Sequence, residues 1–242
     1  MTKQRPQATS QVRPFTRAMI AVVVVLLLAG VTWRVAGQGP PAANPRAVLD
    51  QAVADFFAVR IPESVAGFDR LVKLQPSVAP ELWQRGIALY YAGRYADCRA
   101  QFESHRTVNP ADVENAAWHY LCVARAESPA RARAALLPVG EDDRVPMREV
   151  YQMFQGRLSP DAVLVAGGVQ ATPPRAPQAS APDAVRARFY ALLYVGLYSE
   201  AHGEARAKEY LTRAAAAEFA GAAGYMHRVA QVHVAVRGWK TK

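Results

Sequence analysis

Two spacings in this 242-residue chain put chemically capable side chains close together. His119 and Cys122 stand three residues apart, one helical turn, and an imidazole beside a thiolate is a metal-binding pair. A closed metal site needs four ligands, and no second pair has suitable spacing. His227 and His233 are six positions apart, so on a helix they face different sides and read as packing or surface residues. Cys98 and Cys122, the only cysteines, are compatible with a disulfide in an oxidising compartment and with two buried thiols. There is no phosphate-cradling Gly loop, no G-x-S-x-G elbow, no H-E-x-x-H and no C-x-x-C. These patterns imply no cofactor, no metal and no catalytic residues. A hydrolase or transferase would have to assemble its polar groups in the fold, around His119, Glu114 and Arg85.

The elements that would position any of these groups are helices. The chain matches itself at one fixed offset: Ala52 with Gly86, Ser64 with Cys98, Phe68 with Phe102, and Pro76 with Pro110. That offset, thirty-four, is the tetratricopeptide period. With 8 Phe and 17 Pro in the chain, both matches arise together by chance about twice in a thousand offsets. The physical logic is a helical hairpin with a small residue where its two helices touch, an aromatic wedge beside that contact, and a proline that stops the second helix. Asn44-Pro45, Asn109-Pro110, Ser128-Pro129 and Ser159-Pro160 each set a capping side chain before a proline, a helix-start signal. The pattern predicts helices near 45–59, 62–75, 79–92, 94–107, 111–126, 129–137, 146–156, 160–166, 183–201, 203–219 and 222–238, with no strands. A Gly- and Pro-rich insertion over 167–182 interrupts them. Tyr225, Val229, Val232 and Val236 form one apolar stripe, which predicts a capping helix at the end of the stack. The fold class is all-α, a tetratricopeptide-like helical-hairpin solenoid.

Within that register the first helices of successive hairpins line a concave groove. The candidate protein-binding residues are Leu49, Val53, Phe56, Trp83, Ile87, Tyr90 and Tyr91, with Arg94 at the edge. The family's clamp for acidic C-terminal tails uses Lys and Asn at the inner positions where Leu49, Val53, Trp83 and Ile87 stand. An apolar or helical segment of a partner protein suits this surface better. Packing between helices is the competing role for the same aromatics. The stretch Leu82-Trp83-Gln84-Arg85-Gly86-Ile87-Ala88-Leu89-Tyr90-Tyr91, then Gly93-Arg94-Tyr95 and Phe102, resembles NlpI-type tetratricopeptide proteins, bacterial envelope adaptors. Met147 to Tyr151, Phe189 to Tyr198, and Tyr225 to Trp239 look similar to the same family and its little-characterised plant-type relatives. The likeness spans about residues 45–239, with 158–182 poorly matched. It implies partners such as an envelope protease or cell-wall hydrolases. Those adaptors carry a lipid-bearing Cys, which this chain lacks.

The formal net charge is +9, but Lys3, Arg5, Arg13, Arg17 and Arg34 belong to a leader without acids, and residues 38–242 carry only +4. No basic stripe with interleaved aromatics exists, so a nucleic-acid partner is not expected. Residues 1–17 read as a basic cytoplasmic leader, 18–36 as a signal anchor or transmembrane helix, 37–44 as a linker, and 45–242 as the helical domain. The apolar run from Ala18 to Trp33 spans about 24 Å as a helix, nearly enough for a bilayer when extended to Ala36. Val35 and Gly37 also permit cleavage before Gln38, which would yield a secreted form. In either case the domain lies on the extracytoplasmic side. The sequence points to a membrane-anchored adaptor that binds other proteins without catalysis; a homodimer through an apolar face is the alternative.

Overall fold

Four helical hairpins share one kind of turn. The computed structural model describes residues 44–170 and 181–239. In the first hairpin α1 (Pro45–Phe57) turns into α2 (Ile61–Leu74), and in the second α3 (Trp83–Tyr91) turns into α4 (Tyr95–His105). Both turns close by the same backbone pattern: Val59 N to Phe56 O with Arg60 N to Asp55 O, and Gly93 N to Tyr90 O with Arg94 N to Leu89 O. The turn residues Val59 and Gly93, one repeat apart, both have positive φ, 62° and 73°. Gly156 and Gly203 make the same turn, between α7 (Met147–Phe154) and α8 (Pro160–Ala166) and between α9 (Pro182–Ala201) and α10 (Ala207–Ala214). Glycine takes this left-handed conformation freely, whereas a β-branched residue is strained there.

Val59 is the exception among the four turns, and it is exposed. Val59→Gly is therefore expected to raise stability by about 1 kcal/mol, because relief of left-handed strain outweighs the added flexibility of the unfolded chain. A urea-unfolding midpoint that falls on this substitution would contradict the account.

The small-residue contacts predicted at the repeat offset are present. Ser64 Oγ donates to Ala52 O at 2.8 Å, and Gly67 lies so close to Ala52 that a Cβ there would meet the Ala52 Cβ at 2.8 Å. In the second hairpin a Cβ on Gly86 would stand 2.6 Å from the Phe102 ring. Since Ala52 meets Ser64 while Asp55 meets Arg60, the paired helices run antiparallel. Phe68, Phe102 and Cys98 are all buried in the core. Pro76 follows the end of α2 as expected and opens a 3-10 turn, Pro76–Glu81, which takes the first residues of the helix expected near 79–92, so α3 starts at Trp83.

Next come α5 (Val113–Ala126) and the short α6 (Pro129–Ala134). Asn44, Ser128 and Ser159 cap their helices as their spacing predicts. Asn109 does not: α5 starts later, with Asp112 as its cap, and the Asn109 side chain donates to Asp112 instead. A proline two residues before a better-placed Asp leaves the cap to the Asp. The helix α9 is buried on all sides from Phe189 to Ser199 and packs on α5, α7, α8, α10 and α11 (Ala220–Val236). The described residues contain no strand.

The final helix departs from the predicted end cap. Rather than one apolar stripe it buries Met226, His227, Val229, Ala230, Val232, His233 and Val234, and it packs on α9, α10 and, far back in sequence, α1. A solenoid's repeats touch only their neighbours; here the last described helix packs against the first described one. The predicted leader, anchor and most of the linker, and residues 171–180 of the insertion, lie outside the described residues. Among the described residues no helix is long and apolar enough to cross a membrane.

Candidate functional site

Polar groups gather at the first turn of α5. Asp112 accepts from Glu114 N at 3.0 Å, and Asp142, from the loop before α7, accepts from Val113 N at 3.2 Å. Carboxylates suit this end of a helix, where the free N–H groups and the dipole favour negative charge. Arg144 ties the acids together, donating to Glu114 Oε1 at 2.7 Å, Asp112 Oδ1 at 2.8 Å and Asp142 Oδ2 at 2.6 Å. Tyr194 donates its hydroxyl to Glu114 Oε2 at 2.6 Å. Burial, and then the neighbouring Asp112, push the Glu114 carboxyl up despite Arg144 and Tyr194. The hydrogen bond to Asp142 heads the interactions that hold the Arg144 guanidinium well above its usual range.

Above this cluster lies a cavity of about 300 Å³. It is lined by Trp83 and Ile87 from α3, Phe102 and His105 from α4, Asp112, Glu114, Asn115 and Trp118 around the start of α5, Tyr190 from α9, and Ala223, Tyr225 and Met226 from α11. Gly224, at φ 47° and ψ −116°, breaks α11 at the roof. The break lets Tyr225 turn onto Trp83, with ring centroids 4.7 Å apart. Burial raises the phenols of Tyr190 and Tyr225. Four buried polar atoms on lining residues have no partner among the described residues: His105 Nε2, Asn115 Oδ1, Trp118 Nε1 and Tyr225 OH. An unpaired buried polar atom is costly, so such a concentration needs a reason.

The predicted groove residues divide into two sets. Phe56, Ile87 and Tyr90 are buried in the core, with Ile87 also in the cavity lining. Leu49, Val53, Trp83 and Tyr91 are half-buried against that core, and Arg94 is exposed but paired with Asp69 and Asp97. Much of the inner face is taken by α11. Tyr225 packs on Phe57 and Trp83, Arg228 lies 3.6 Å over the Phe57 ring, and His233 Nδ1 stands 3.0 Å from the Tyr91 hydroxyl. Behind it Glu200 pairs with Arg237 and His233. Burial alone would raise Glu200, but hydrogen bonds from His233 and Arg237 overcome it and bring the carboxyl to about 2. Burial pushes the His233 imidazole down.

His119, Glu114 and Arg85 have separate partners. His119 faces Glu103, while Arg85 holds Asp69 and Gln101. Cys98 and Cys122 are joined by a disulfide across α4 and α5, their Cα atoms 5.9 Å apart, so Cys122 is not a thiolate partner for His119. His227 and His233 are both buried on α11, His227 against the carbonyls of Ala215 and Ala216. Among the described residues no group of three or more His, Cys, Asp and Glu is placed to hold a metal ion. Of the cavity residues, the sequence had singled out Trp83 and Ile87 as groove, Glu114 as polar, Phe102 as a packing wedge and Tyr225 on the stripe of the last helix. His105, Asn115, Trp118 and Tyr190 carry no local signal of their role. No protein-family model matches the chain, and no curated protein matches it.

Proposed function

We propose that the chain is a tetratricopeptide-like adaptor, tethered by its N-terminal apolar segment, that binds partner proteins on the extracytoplasmic side of a membrane and has no catalysis of its own. The observation that carries this reading is α11 on the inner face of α1 and α3: that surface already holds a helix through Phe57, Trp83 and Tyr91. A partner's apolar or helical segment would use the half-buried Leu49 and Val53 of α1. The disulfide between Cys98 and Cys122 supports an oxidising compartment. The resemblance to envelope adaptors agrees with it. Such a protein acts by raising local concentration of what it holds.

The test is in-cell crosslinking of the full-length chain beside a Leu49→Asp, Val53→Asp variant with an unchanged far-ultraviolet spectrum. A small set of extracytoplasmic proteins held by the parent and lost by the variant is the expected result. An identical set from both, or only cytoplasmic proteins, would overturn it.

A further inference from the structure

We propose that the cavity roofed by α11 binds a small organic cation rich in N–H donors, an amine or guanidinium, seated between the rings of Trp83, Trp118 and Tyr225 and the carboxylates of Asp112 and Glu114. This stands apart from the adaptor reading, because neither Leu49 nor Val53 lines the cavity.

Charge decides the sign of the occupant. Three carboxylates, Asp112, Glu114 and Asp142, share the one guanidinium of Arg144, and two of them, Asp112 and Glu114, line the cavity floor. At the roof side Arg186 donates to Ala222 O and has its own acid in Asp183. An anion entering the cavity would be repelled by that floor. A cation finds the carboxylates together with aromatic faces, which attract positive charge through their ring quadrupoles.

The unpartnered atoms decide its chemistry. His105 Nδ1 lies 2.8 Å from Pro80 O. That carbonyl only accepts, so Nδ1 carries a proton, and in the neutral ring Nε2 is an acceptor. Asn115 donates its Nδ2 to Phe102 O, which leaves Oδ1 as a second buried acceptor. Both residues line the cavity, and neither acceptor has a donor among the described residues. A quaternary ammonium has no N–H to give them; a primary amine or guanidinium does. Trp118 Nε1–H and Tyr225 OH remain as donors, and they suit an oxygen next to the cationic group. The cavity, about 300 Å³, is at the small end of ligand sites and fits a group of that size.

The experiment is calorimetric titration of the purified full-length chain in an uncharged detergent with three probes: agmatine, tetramethylammonium, and a blocked Gly-Arg-Gly peptide. Agmatine is expected to bind saturably, with Kd about 1 mM or tighter, and tetramethylammonium at least about tenfold more weakly. Glu114→Gln and Trp83→Leu should each weaken agmatine by about tenfold or more, with helicity retained. Glu114 also holds Arg144 and Tyr194, so Trp83→Leu, half-buried in the lining, carries the test if the first variant fails to fold. Tighter binding of agmatine than of the peptide would identify a free small molecule as the source, and the reverse order a basic side chain. Absence of saturable heat from all three probes, equal affinity for tetramethylammonium and agmatine, or unchanged affinity in Trp83→Leu would each overturn the proposal.

Discussion

Phe102→Ala is expected to lower the unfolding free energy by about 3–5 kcal/mol, read from urea denaturation followed by far-ultraviolet circular dichroism. The ring is 1% exposed, lines the central cavity and presses on Gly86, so its loss enlarges an existing void that the backbone cannot readily fill. The same contact makes a sharper claim. The Cβ added by Gly86→Ala would sit 2.6 Å from the Phe102 ring. That change alone should therefore destabilise by about 1–3 kcal/mol. In the Phe102→Ala background the obstruction is gone, and Gly86→Ala should become neutral or stabilising by up to about 1 kcal/mol through helix propensity. Such a reversal of sign is a coupling that only direct contact explains. Additive effects of the two substitutions would mean that Gly86 and Phe102 do not touch as described.

The contact was legible in the sequence because it recurs. Ala52, Ser64, Phe68 and their partners one repeat further on are local pairs within a hairpin, and local pairs leave a periodic trace. The turn at Val59 and Gly93 repeats in backbone conformation while its residue type does not, so conformation there was invisible to a comparison of letters. The position of α11 was hidden for a different reason. Tyr225, Val229, Val232 and Val236 give the same stripe whether the helix closes the end of a stack or lies across its inner face. An amphipathic period reports that a face is buried and not what buries it. The cavity was the least readable feature. Its lining comes singly or in small groups from five helices, and His105, Asn115 and Tyr190 each look ordinary among their neighbours in sequence. Arg144, 30 positions from Glu114, is brought onto the acids at the start of α5 only by the fold.

Breaking the Cys98–Cys122 bond is expected to cost about 3 kcal/mol, whether by a reductant or by a paired Cys98→Ser, Cys122→Ser change. The bond joins cysteines at a sequence separation of 24, and opening that loop returns conformational freedom to the unfolded chain. Both residues are fully buried in the apolar core, so two serines there would also bury hydroxyls and add to the loss. A Cys98→Ala, Cys122→Ala pair separates the two terms: it removes the crosslink without the hydroxyls, and it should fall between the parent and the double serine. The bond joins the second helix of one hairpin to the first helix beyond it, and the start of α5 carries Asp112, Glu114, Asn115 and Trp118. Reduction should therefore loosen the cavity along with the fold, and agmatine binding should weaken in parallel with the urea midpoint. Equal midpoints for the oxidised and reduced chains would show that the crosslink contributes nothing to stability. That result would also remove the support which the disulfide lends to an oxidising compartment, since a bond without effect on the fold gives no reason to prefer one.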